Sequence, residues 1–106
     1  MAEPPSHFRA QARRKVGFVA SLASAQDSSD TKVRVVDIGL GGARIEPRTN
    51  VFVGDRVVLT VTVPEFWEPL VLTARVAWTS RDAAGVMFLH EEDAGLGKVF
   101  EILVNR

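Results

Sequence analysis

Alternation of apolar and polar residues is the feature that most restricts this chain. The stretch LVLTARVAWTS, residues 70–80, alternates along its length, with Leu70, Leu72, Ala74, Val76 and Trp78 on one side. A period of two suits a strand with one buried face and one wet face. The period recurs at 56–63, where Val57, Leu59, Val61 and Val63 share a face, and from Val16, where Phe18, Ala20 and Leu22 follow it. The β-branched run Lys32–Ile38, the short Gly42–Glu46 and VMFLH at 86–90 read as three further strands. Polar or proline-bounded segments punctuate them: AQDSSD, PRTN, PEFWEP and RDAAG. Beyond His90 the period changes. Leu96, Val99, Phe100 and Leu103 fall at i, i+3, i+4 and i+7, one face of a helix. Glu91, Glu92 and Asp93 precede it or open it, where the helix dipole favours negative charge. Six short strands and a terminal helix predict an all-β fold with one helix, a six-stranded antiparallel β-barrel whose open end the helix plugs or covers.

The chain has 106 residues, enough for one core. Residues 1–8, with Pro4, Pro5 and Ser6, read as a flexible start, and 9–106 as the barrel domain, its helix beginning near 92. Thirteen basic residues balance thirteen acidic ones, so net charge names no polyanionic partner. Their distribution says more. HFRAQARRKV, residues 7–16, holds Arg9, Arg13, Arg14 and Lys15 without an acid. The absence of cysteine excludes disulfides, thiolate metal sites and a cysteine nucleophile. No apolar run reaches the ~20 residues of a membrane span, and the N-terminus lacks a signal-peptide core. A cytoplasmic protein that does not insert into a membrane is expected.

Enzyme readings find little to work with. The only histidines are His7, in the N-terminal segment, and His90, at a strand end, and there is no tyrosine. His90 reads better as a strand-end polar residue than as a base. Two distant histidines and scattered carboxylates do not make a metal site. The chain is therefore read as a non-enzyme with no metal. Trp78 and Phe88 occupy inward strand positions and are expected in the core. Phe66 and Trp67, in the proline-framed loop, are either a covering flap or a contact surface for another protein.

Three glycines crowd VVDIGLGGARIE, residues 35–46, just after the single acid Asp37. GLGG is no dinucleotide fingerprint, because the spacing is wrong and a strand follows. A glycine-rich bend or bulge between two strands is one reading. The other is a surface where a ligand lies against bare backbone. There a carboxylate can accept hydrogen bonds from the N–H edge of a guanine. Arginines four apart offer bidentate forks to guanine O6/N7 or to phosphate.

Arg9-Ala-Gln-Ala-Arg13 matches R-x-x-x-R, and Asp37-Ile-Gly-Leu-Gly-Gly42 nearly matches [D/N]-x-S-x-x-G. In this order, ahead of and within a six-strand pattern, the two motifs resemble the signatures of PilZ domains. The similarity extends from Phe8 onward, with VGDRVVLTVTVP, LTARVAW and GVMFLHEED resembling the family's later strands and the approach to its final helix. The resemblance implies a receptor for the bacterial second messenger cyclic di-GMP, with no cofactor besides that ligand. By position Arg9 and Arg13 would meet guanine edges and phosphates, Asp37 would hydrogen-bond a guanine, and Gly42 would allow close approach. Phe8 sits where the family uses side-chain bulk to influence ligand stacking; Arg14 has no matching role. The N-terminal arm would change on ligand binding and signal through a protein partner, in motility or exopolysaccharide regulation. Gly39 stands where the family has serine. Losing that hydroxyl costs about 0.5–1.5 kcal/mol, tenfold in affinity or less.

Two other readings remain beside it. One is a PilZ-like interaction module that no longer binds nucleotide, consistent with Gly39 and with contacts through Phe66 and Trp67. The other is a barrel for single-stranded nucleic acid, which neutral charge and few surface aromatics disfavour; no nucleic-acid polymer is expected as partner.

Overall fold

The computed structural model describes residues 13–24, 30–89 and 93–105. Six strands appear: β1 (Arg13–Ser24), β2 (Asp30–Gly39), β3 (Gly42–Glu46), β4 (Arg56–Thr62), β5 (Leu70–Thr79) and β6 (Ala84–Phe88). One helix, α1 (Asp93–Asn105), follows. The strands close into a barrel in the order β1-β2-β3-β6-β5-β4, every neighbouring pair antiparallel. Closure leaves no sheet edge open to a second chain. The barrel is filled by the alternating residues the period singled out, among them Phe18, Leu22, Val57, Leu59, Val61, Leu72 and Val76. No polar or charged side chain is buried among the described residues.

Helix α1 packs on β2 and β5. It turns Val99 and Ile102 into the core, with Leu103 half-buried beside them. Phe100, expected on that face, is 56% exposed. Positions 99, 102 and 103 make as good a stripe as 99, 100 and 103, and the sheet beneath selects the first. Among the described residues, no helix is long and apolar enough to cross a membrane.

Two strand boundaries move. β1 begins at Arg13, so Arg13, Arg14 and Lys15 belong to the barrel wall rather than to an arm preceding it. β6 spans Ala84–Phe88, two residues earlier than VMFLH, because Ala84 and Gly85 pair with β3 and β5. His7, Phe8, Arg9, His90, Glu91 and Glu92 lie outside the described residues, as does the whole segment 1–8 that the sequence reads as a flexible start.

The larger correction concerns Trp78. It is 41% exposed and points outward. The register of β5 against β6 slips between Val76 and Trp78, since Val76 faces Val86 and Trp78 faces Gly85. One extra residue on β5 is a bulge, and a bulge re-aims the side chains that follow it. Strict alternation carried Trp78 inward; the bulge carries it out.

Candidate ligand-binding wall

Three bulges lie at one level of the barrel. Besides the one in β5, β2 slips against β3 between Val35 and Asp37, and β1 slips against β2 between Lys15 and Phe18. Val33 and Val35 are buried, so unbroken alternation would send Asp37 inward as well. The irregularity at Val36 instead leaves Asp37 part-exposed and seats Ile38 in the core. A carboxylate is thereby spared burial, which would be costly without a partner.

The two re-aimed residues, Asp37 and Trp78, fall in one row of outward positions. Lys15 faces Asp37, Asp37 faces Arg44, Arg44 faces Gly85, and Gly85 faces Trp78, across five of the six strands. Arg13 reaches into the row, its Nε–H donating to Asp37 Oδ1 at 3.0 Å. Arg44 Nε lies 3.4 Å from Glu46 Oε2, and its guanidinium carbon lies 5.6 Å from the centre of the Trp78 ring. The indole rests on Gly85, where a Cβ would collide with Nε1, Cε2 and Cδ1. Glycine in a strand weakens it, and a cross-strand aromatic laid over the gap restores the contact.

Beside the row, Arg13, Arg14, Lys15 and Leu103 line a cleft of about 440 Å³, within the range of small-molecule sites. Arg14 Nε–H donates to the Leu103 carbonyl at 3.0 Å. This satisfies a carbonyl of the last helical turn and ties β1 to α1. The extra cation of the sequence motif is a link between wall and helix.

The glycine stretch resolves into separate demands. β2 ends at Gly39, Leu40 and Gly41 make the turn, and β3 begins at Gly42. A Cβ on Gly42 would run into the Val86 carbonyl oxygen of β6. The backbone that must come close to Gly42 is the protein's own. Phe88 N–H donates to the Gly41 carbonyl at 2.9 Å and pins the turn to the same strand. Gly39, buried at the end of β2, faces Arg13 across the register.

Of the residues singled out by sequence, Arg13, Asp37 and Gly39 therefore meet at the β1–β2 edge of the row, and Gly42 stands one turn away. Spacing does not single out Arg44, and strict alternation places Trp78 in the core. The signal for both lay in register, which periodicity does not show. Phe66 and Trp67 are placed differently. Phe66 packs on the core with Lys98 Nζ 5.1 Å from its ring centre, whereas Trp67 is fully exposed. Among the described residues no cluster of three metal-ligating side chains occurs.

Fold and wall together define a small closed barrel that presents cations, the carboxylates of Asp37 and Glu46 and an aromatic plane on its outer face. Comparison with known proteins gives that architecture its family. The PilZ domain family model matches residues 7–104, and the chain belongs to that family. The PilZ domain of CeSA from a cellulose-synthesising bacterium superposes with a TM-score of 0.73 at 16% identity, covering 88% of this chain and 95% of that one. The PilZ domain of YcgR from Escherichia coli, solved with c-di-GMP, gives 0.73 at 15% identity, covering 88% and 86%. The inhibitor of motility MotI/DgrA of Bacillus subtilis gives 0.72 at 11% identity; 90% of this chain matches 49% of that one. At these identities the likeness is one of fold. No curated protein matches the sequence.

Proposed function

We propose that this chain is a cyclic di-GMP receptor, and that the Arg13–Asp37 pair is where a guanine is read. The pair carries the reading because its two members offer what the two edges of guanine require. Asp37 accepts from the N1–H and N2–H edge, and an arginine fork donates to O6 and N7. In the free protein the two side chains satisfy each other at 3.0 Å while about a third and a quarter exposed. An ion pair so open to water is worth about 0–1 kcal/mol, so a ligand exchanges it cheaply for its own contacts. Lys15, Arg44 and, by its place in the motif, Arg9 supply charge for the phosphates, and the Trp78 indole supplies a plane for a base. Gly39 lacks the motif hydroxyl, which sets affinity below that of a serine-bearing wall by tenfold or less.

The family membership and the solved complex of the YcgR PilZ domain with c-di-GMP support this reading. The chain acts as a binding module rather than a catalyst. Output passes to a protein partner, for which the fully exposed Trp67 is a contact. Calorimetric titration of the full chain with cyclic di-GMP tests the proposal: saturable binding lost in Arg13→Ala supports it. No binding below millimolar ligand leaves the interaction-module reading in its place.

A further inference from the structure

The connection between β3 and β4 closes in a tight turn that shows two apolar side chains to solvent. Val51 is buried, whereas its neighbours Phe52 and Val53 are 61% and 63% exposed. Apolar residues exposed singly are ordinary; two adjacent ones on a rigid support are not. Asp55 N–H donates to the Phe52 carbonyl at 3.0 Å, and Phe52 N–H donates to Asp55 Oδ2 at 2.9 Å. Gly54, with a φ of 96°, takes the left-handed third position of this turn. Gly54 N–H donates to the Val76 carbonyl and Val76 N–H to the Asp55 carbonyl, each at 2.8 Å. The backbone of the tip is thus fastened to β5, while Val51 alone of the three apolar residues turns into the core.

Two cations stand at the foot of the tip. Arg75 Nη1–H donates to the Gly54 carbonyl at 3.0 Å, and Arg48 Nη2–H to the Val51 carbonyl at 3.4 Å. Those carbonyls bracket Phe52 and Val53 in the chain. The nearest acid, Asp55, is occupied by Phe52 N–H. Glu46 lies 3.4 Å from Arg44, Arg56 is engaged within the chain, and Arg81 is offset by its neighbour Asp82. Register puts the turn at the barrel end away from Arg13. Glu46 pairs with Arg34 and Val57 with Ser24, far along β2 and β1 from the Arg13–Gly39 pair.

We infer that this tip docks on an anionic lipid surface. Phe52 and Val53 enter the boundary between headgroups and acyl chains, and Arg48 and Arg75 meet the lipid phosphates. Guanidinium forks suit phosphate oxygens, and the bonds to the turn hold them beside the inserted side chains. A protruding tip asks for no preformed hollow in what receives it. A bilayer interface offers apolar depth and negative charge together, the two properties that this tip complements. The contact is peripheral: among the described residues no helix crosses a membrane. The inference does not rest on the nucleotide reading, whose Arg13–Asp37 pair lies at the other end of the barrel.

Cosedimentation of the full chain with vesicles of equimolar phosphatidylcholine and phosphatidylserine tests it. A single myristoyl chain binds bilayers with an association constant of about 10⁴ M⁻¹, and two side chains bury less, so half-binding is expected at about 1 mM lipid. Vesicles of phosphatidylcholine alone bind roughly fivefold more weakly or worse, and added salt weakens binding to the mixed vesicles. Phe52→Ser combined with Val53→Ser lowers affinity roughly tenfold or more at unchanged Tm, because both side chains are exposed. Arg75→Gln lowers it about fivefold. That variant also loses the bond to Gly54, so its Tm is read alongside, and where Tm falls the serine pair decides. No cosedimentation below about 10 mM lipid overturns the inference and leaves the tip to a protein partner. Binding that survives the two serines overturns it equally, and its loss in Arg13→Ala would place the contact on the cationic wall.

Discussion

The indole of Trp78 lies over Gly85, its cross-strand neighbour, with the Arg44 guanidinium 5.6 Å from the ring centre. Three strands meet in that contact, and none of the three residues is adjacent to another in sequence. An exposed aromatic held flat against the wall by a glycine is pre-ordered for stacking. Trp78→Ala is therefore expected to weaken cyclic di-GMP binding roughly 5- to 150-fold, the loss of about 1–3 kcal/mol of base stacking. Gly85→Ala, which pushes the indole off its seat, should reproduce most of that loss without removing the ring. Titrations of both variants check this, and equal affinity in all three proteins would remove Trp78 from the site.

Arg13 and Asp37 should affect binding far more than stability. Their mutual pair is worth about 0–1 kcal/mol at its exposure, so either alanine variant should change Tm by no more than a few degrees. Binding should fall more than tenfold in Arg13→Ala, because a charged hydrogen bond to ligand is worth about 1.5–3 kcal/mol. Thermal melts beside calorimetry separate the two effects. A collapsed Asp37→Ala would make that residue a structural acid instead.

The glycines are expected to part company. Gly42→Ala forces a Cβ into the backbone of β6, an overpacking that costs about 1–3 kcal/mol and lowers Tm by roughly 5–20 °C. Gly39→Ser, in extended strand backbone, should fold normally and tighten cyclic di-GMP binding by up to tenfold. Tm and affinity of the two variants give four readings. A stable Gly42→Ala would contradict the contact with Val86.

Phe66 and Trp67 should separate in the same manner. Phe66→Ala removes packing from the core surface and should lower Tm. Trp67→Ala should leave Tm and nucleotide affinity unchanged and abolish capture of a partner from native lysate. Retained capture by Trp67→Ala, against wild type as control, would move the partner surface elsewhere.

Much of the architecture was legible in the order of residues alone. A strand buries one face, so inward positions repeat every second residue, and Val57, Leu59 and Val61 declare their side without reference to anything else. Arg13, Asp37, Gly39 and Gly42 stood out by spacing, because a motif keeps together residues that a hairpin and its neighbour bring to one edge. Arg44 and Trp78 did not stand out. Their place depends on register, and register is set by which side chains on two strands pack together, a property of the pair rather than of either strand. The three bulges show why this matters. Those in β2 and β5 insert one residue and reverse the inside–outside rule beyond it, sparing Asp37 from the core and sending Trp78 out of it, while β1 keeps its alternation through its slip. Alternation is written locally in the chain; the points at which it breaks were decided by closing six strands into one barrel.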